Sequence, residues 1–147
     1  MAAAGHALAH NPAKTHEFGS FLVNVLKVED VGASSAEKIT WHDACHGLRD
    51  LGIRDEPRRL LKNVKGVEYV EMENADVCCG FGGTFSVKYP EISAGMLDNK
   101  IEMIEKSGAD TVVACDASCL MQINGRLSRI ESRVKTKHLA EVLASQE

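Results

Sequence analysis

Thr111-Val-Val-Ala-Cys-Asp-Ala-Ser-Cys-Leu-Met-Gln-Ile-Asn-Gly-Arg-Leu-Ser-Arg-Ile130 is the stretch on which the fold turns. Thr111-Val-Val-Ala114 is a short apolar run rich in β-branched residues, which reads as a buried strand. Leu120, Ile123, Leu127 and Ile130 then recur at helical spacing. Downstream, Arg133 to Thr136 suits another strand, and Leu139, Val142 and Leu143 a closing helix. Upstream, Pro90 and Glu91 open a long helix whose apolar side is marked by Ile92, Met96, Ile101 and Ile104, with Gly108 as its end. Val67 to Met72 reads as a strand, and Gly66 separates it from a helix over Asp55 to Lys62. There Asp55 is the expected N-cap and Pro57 sits in the first turn, where its missing N–H is harmless. Lys38 to His42 is a further strand. Phe18, Phe21, Leu22, Val25 and Leu26 predict an amphipathic helix from about Thr15 to Lys27, joined to that strand by a polar, small-residue connection.

Strand and helix thus alternate four times. The pattern predicts an α/β fold: a small parallel sheet of about four strands, with helices on both faces in Rossmann- or flavodoxin-like layers. The competing layout is α+β, with one antiparallel edge. The chain has 147 residues, which suits one domain over residues 15–147. Residues 1–14 are expected to be a disordered terminus or an expression remnant, because Met1 to His10 is small and apolar but lacks the basic start of a signal peptide. With 44% hydrophobic and 26% charged residues, the chain can bury a core without cysteine staples. A formal net charge of −4 and dispersed basic residues argue against a nucleic-acid surface. No apolar run approaches a membrane span, so no direct insertion is expected.

The five cysteines are an odd number, and two of them are adjacent, so a complete disulfide framework is excluded. With no secretory signal, the expected setting is the reducing cytoplasm. Clustered cysteines there point to metal or redox chemistry. Their positions are informative. Cys45 follows the first predicted strand, Cys78 and Cys79 the second, and Cys115 and Cys119 the third. In an open parallel sheet, loops at the carboxyl ends of strands build the ligand site, so the thiols are expected to converge. Such a set suits a soft centre, either an iron–sulfur cluster or zinc. Zinc sites usually carry two short Cys pairs, whereas only Cys115 and Cys119 form one here. Consecutive side chains diverge, so Cys78-Cys79 fits a larger cluster more easily than one tetrahedral ion. Cys115, beside Val112, Val113 and Ala114, also reads as simple core.

The order Cys45, Cys78-Cys79-Gly80, Cys115 and Cys119 resembles the cysteine-rich CCG domain family. That domain occurs in the B subunit of heterodisulfide reductases and in iron–sulfur subunits of glycolate, glycerol-3-phosphate and lactate oxidation systems. The 32 residues between Cys45 and Cys78 and the 35 between Cys79 and Cys115 fit the pattern. His42-Asp-Ala-Cys-His46, Gly52-Ile53, Glu56-Pro57, Cys78-Cys-Gly-Phe-Gly-Gly-Thr-Phe-Ser-Val-Lys88 and His138-Leu-Ala-Glu-Val142 resemble the lactate-utilization branch, and there the C-terminal half of its subunits. The resemblance implies a single CCG-type domain with an N-terminal helix. It implies an iron–sulfur cluster of the 4Fe–4S type, held by Cys45, Cys78, Cys79 and Cys119, with Cys115 beside them. It further implies electron transfer within a complex oxidising L-lactate or a related 2-hydroxy acid, rather than a complete enzyme. The implied partners are the other subunits of that complex and a second CCG domain or copy, since family members carry two, with any membrane association made through partners. One departure concerns the last pair. The family has Cys-x-x-Cys where this chain has Cys115-x-x-x-Cys119, so either Cys115 ligates from a shifted position or Asp116 takes the place. The alternatives to iron are a zinc-binding or thiol-redox module, or a non-catalytic assembly domain.

The remaining candidates each have two readings. His42 and His46 flank Cys45 as ligands or proton donors, or are surface or capping histidines; the latter is the simpler expectation. Asp43 is expected to fix the turn by bonding to backbone. Gly80, Gly82 and Gly83 lack the spacing of a dinucleotide or phosphate loop. Their expected role is to bring backbone N–H groups close to the cofactor's sulfurs. Phe81 and Phe85 shield the site or fill core, Gly125 marks close helix packing, and Lys88 is solvated.

Overall fold

A computed structural model describes residues 15–146, so the expectation for residues 1–14 falls outside the described residues. Four strands form one sheet: β1 (Lys38–Trp41), β2 (Glu68–Tyr69), β3 (Thr111–Ala114) and β4 (Lys135–His138). Their order is β2-β1-β3-β4, and every pairing is parallel. The parallel α/β layout is therefore the observed one, and no antiparallel edge is present among the described strands.

The order places β1 and β3 inside the sheet. Ile39 and Trp41 pair with Thr111 and Val113 on one side, and Ala114 pairs with His138 on the other. All of β3 is buried, as its unbroken apolar sequence requires. Alternation along the strand then sorts two cores. Val112 packs with Leu97, Ile101 and Ile104 of α4 (Pro90–Ser107) and with Ile123 and Leu127 of α5 (Ala117–Arg129). Val113 faces the opposite layer, with Leu60 and Leu61 of α2 (Asp55–Lys62) and Leu139 and Val142 of α6 (Leu139–Leu143). Val23 joins this second core from the N-terminal helix, which begins as α1 (Phe18–Ser20) and widens into π-helical turns over Phe21–Val25. α3 (Thr84–Lys88) is a short helix after the glycine segment.

Several local expectations are corrected. β2 is two residues long rather than six. As an edge strand it has only β1 to pair with, and after Val70 N–H donates to the Ile39 carbonyl the chain turns away, burying Met72 in the core. β4 lies further along than Arg133 to Thr136, because its pairing with β3 selects Lys135 to His138. Asp55 is the first helical residue, not the cap; with Glu56 it places negative charge in the first turn, where the helix dipole favours it. In α4 the buried stripe is Ser93, Leu97, Lys100, Ile101 and Ile104, whereas Ile92 is 57% exposed. Gly108, at φ +68°, closes that helix in the left-handed conformation as expected. Gly125 has open space where a Cβ would stand, so it marks no close contact. Among the described residues, no helix is long and apolar enough to cross a membrane.

Candidate metal centre

The strand order reverses direction between β1 and β3: one connection runs out to β2, and the next crosses back to β3 and on to β4. In open α/β sheets the crevice at the carboxyl ends of such a strand pair is where ligands bind. His42 directly follows β1, and Cys115 directly follows β3.

Two thiols meet at this edge. The Cys79 and Cys119 sulfurs are 3.3 Å apart, and both side chains are buried. His42 completes a group of three, with the ligating atoms of all three residues within 4.8 Å of one another. Only 1% of His42 is exposed, and neither Nδ1 nor Nε2 has a hydrogen-bond partner. Strand alternation explains its burial: Ile39 and Trp41 point into the α2/α6 core, so Thr40 and His42 point to the other side, where α5 presents Cys119. The expectation of a surface or capping histidine is thus corrected for His42. It holds for His46, which is exposed and pairs with Asp50 at 2.9 Å.

The electrostatics distinguish the two thiols. The hydrogen bond shared with Cys119 holds Cys79 below the usual thiol range despite burial, and the adjacent His42 ring adds to this. Bonding to Cys79, burial and surrounding negative charge push Cys119 up. Burial raises Cys78, a half-buried thiol that accepts from Gly80 N–H at 3.3 Å. Phe81 N–H likewise assists Cys79. The glycine segment thus turns backbone donors toward two sulfurs. Gly80 allows this at φ +82°, where a Cβ would stand 2.6 Å from the Ser93 carbonyl oxygen. Ser93 Oγ donates to the Gly80 carbonyl at 2.8 Å, clamping the loop to α4. Gly82 and Gly83 also have positive φ, and Phe85 lies against Gly82. Phe81 packs on the core beside Cys79, and Lys88 is exposed.

The other cysteines are placed differently. Cys45 is exposed. Cys115 is part-buried between the two cores, 3.7 Å from where a Gly47 Cβ would be. Burial pushes its thiol up to about 11. It lies outside the group formed by His42, Cys79 and Cys119. Asp116 caps α5, accepting from Ser118 N–H at 2.8 Å and Cys119 N–H at 3.2 Å through one oxygen. It thereby fixes the helix turn that carries Cys119. His138 braces the far side. Its Nδ1 accepts from Ala140 N–H, so Nε2 bears the proton and donates to the Cys115 carbonyl at 2.9 Å.

Three supporting residues escaped the sequence reading in whole or part. Asp43 bonds not to backbone but to the Trp41 indole N–H at 2.7 Å and, through both oxygens, to Arg58 at 2.9 and 2.8 Å. Arg58 also grips Glu71, joining the segments after β1 and β2. Lys100 is fully buried, and its Nζ donates to the carbonyls of Asn74 at 3.0 Å and Ala75 at 3.3 Å. Helical spacing carried the signal for Lys100, which falls on the same stripe as Ser93, Leu97 and Ile104. Arg58 and Asp43, far apart in sequence, left none.

The donor set fits a soft metal centre. Two facing thiols and a buried imidazole with free nitrogens are what such a centre takes up. The family profile of the cysteine-rich domain CCG matches residues 39–124, from β1 into α5, and so spans all five cysteines. The chain is 52% identical over 132 residues to lactate utilization protein A of Bacillus subtilis (strain 168), covering 90% of this chain and 56% of that protein. It is 53% identical over 131 residues to the protein of the same name from Geobacillus kaustophilus (strain HTA426), covering 89% and 55%. The chain thus spans about half the length of the curated relatives it matches, corresponding to their C-terminal half. Cysteine placement and family match lead to one assignment: the chain belongs to the cysteine-rich CCG domain family.

Proposed function

We propose that this chain is an iron–sulfur electron-transfer module of a complex that oxidises L-lactate, or a related 2-hydroxy acid, to the 2-oxo acid. The observation that carries the reading is the buried group of His42, Cys79 and Cys119 at the strand switch, with both His42 nitrogens unpartnered. Cys45, Cys78, Cys79 and Cys119 would hold the cluster, with Cys115 at its margin. A bound cluster would accept and pass on single electrons. The chain's own groups do the rest. Gly80 and Phe81 N–H groups donate toward sulfur, and the Asp116 cap fixes the turn bearing Cys119. Gly80, Gly82 and Gly83 keep side chains away from that backbone. The lactate assignment draws on the name of the relatives, which cover the chain at about half their own length. Other subunits of such a complex and a second CCG domain are the corresponding partners.

Anaerobic purification of the chain, followed by iron and sulfide analysis and visible absorption, tests this. Iron and sulfide together with sulfur-to-iron charge-transfer bands are expected. Their absence after reconstitution overturns the proposal. A second reading has its own support, because three ligand atoms within 4.8 Å also suit a single zinc ion with a fourth thiolate. Stoichiometric zinc without sulfide would select it.

A further inference from the structure

We propose that Lys100 is the buried counter-cation of the thiolate site and the positioning residue for its two cysteine loops. The inference rests on the metal-centre reading above. An ammonium group buried in a core is costly unless charge nearby compensates it. Lys100 is 0% exposed, yet among the described residues its Nζ pairs with no carboxylate. Its hydrogen-bond partners are two backbone carbonyls, of Asn74 and Ala75. Both lie on the segment that leads into Cys78 and Cys79, and the Ala75 carbonyl also accepts Asp43 N–H at 3.1 Å. One carbonyl thus ties the loop carrying Cys78 and Cys79 to the loop carrying His42 and Cys45, and Lys100 holds it.

The charge balance points the same way. Burial lowers Lys100 to about 8, while the fields of Asp76, Cys79, Asp43 and Cys78 favour its charged form. With Cys45, Cys78, Cys79 and Cys119 all bound as thiolates, a divalent metal leaves the site at a net charge of −2, more negative than the metal-free thiols even after the metal's own charge is counted. A fixed cation in the wall offsets that change.

The test uses the full chain under anaerobic conditions, titrated with Co2+ and read by its sulfur-to-cobalt absorption, as wild type, Lys100→Gln and Lys100→Met. Gln keeps N–H donors for the two carbonyls but removes the charge; Met removes both. Both variants are expected to bind Co2+ at least about tenfold more weakly at neutral pH, as expected for one charge across a partly screened interior. A Lys100→Gln chain with wild-type affinity overturns the counter-cation. Because either variant could fail to fold, a second measurement uses the wild type alone. Nitrogen NMR of the Lys100 ammonium is expected to show its pKa rising by one unit or more when Zn2+ is bound, and an unchanged value overturns the proposal. A wild type that binds no cobalt through sulfur overturns the metal centre and the role of Lys100 with it. Wild-type binding matched by both variants overturns Lys100 alone.

Discussion

A buried imidazole with both nitrogens unpartnered, as in His42, carries a desolvation cost of about 1–3 kcal/mol. In the metal-free chain His42→Leu is therefore expected to raise stability by about 1 kcal/mol, measured by urea unfolding in chelator. The same variant should lose Co2+ affinity. Lower stability in chelator would mean that His42 has a protein partner and is not held for a ligand. The adjacent thiols allow another prediction at this scale. With sulfurs 3.3 Å apart, Cys79 and Cys119 need only a small approach to form a disulfide. Hydrogen peroxide added to the metal-free chain should oxidise this pair, the two thiols losing two hydrogens as peroxide is reduced to water. Peptide mapping would show the link, and a bridge between any other cysteines would contradict the geometry. Cys79 could be singled out from the sequence because a cysteine pair set among glycines is poor core. His42 could not, because its burial depends on which face of β1 looks toward α5.

Elements show where local signals suffice. The long helix α4 follows from Pro90 at its start and Gly108 at its end, both present with the expected roles. Its buried face excludes Ile92, since hydrophobic character says less than angular position once a lysine and a serine lie on the inner stripe. Ser93 is one of those residues, and its contact with Gly80 fixes the cysteine loop. Gly80→Ala puts a methyl 2.6 Å from the Ser93 carbonyl oxygen in a backbone conformation that alanine resists. The variant should lose about 2–4 kcal/mol in urea unfolding. A loss below about 1 kcal/mol would show that the loop can move off α4 freely. β2 was overread for a different reason. Strand length is set by available partners, and an edge strand beside the short β1 runs out of them.

Across the whole molecule, Glu37 ties distant segments together. It accepts from Lys137 Nζ at 2.6 Å and from Thr111 Oγ1 at 3.1 Å, linking the entrance of β1 to β3 and β4. Burial alone would raise its carboxyl, but these bonds and the charge of Lys137 hold it below the ordinary 4.5. A carboxyl lowered in the folded state adds stability above its unfolded pKa and loses it as pH falls through the folded value. Glu37→Gln should therefore cost about 1 kcal/mol at pH 7, a modest figure because the pair is partly solvated. The difference from wild type should vanish once the pH falls below the lowered folded value of Glu37. A deficit that persists in acid would assign the effect to packing rather than charge. The parallel sheet itself followed from four alternations of strand and helix, a pattern with few other solutions. The strand order did not, because the choice between neighbouring β1 and neighbouring β2 for β3 lies in which faces the helices cover.

Sequence alone determined the layers, the burial of β3 and the strand-end positions of the cysteines, since periodicity and turn residues act over a few neighbours. It also determined the family pattern of Cys45, Cys78, Cys79, Cys115 and Cys119. Tertiary structure alone decided that Cys79 and Cys119 meet while Cys115 sits apart between the two cores, and that His42 and Lys100 are enclosed with them. The physical reason is that side-chain direction is inherited from strand alternation and helix phase. Those two quantities become a shared site only after α4 and α5 have packed on the same face of the sheet.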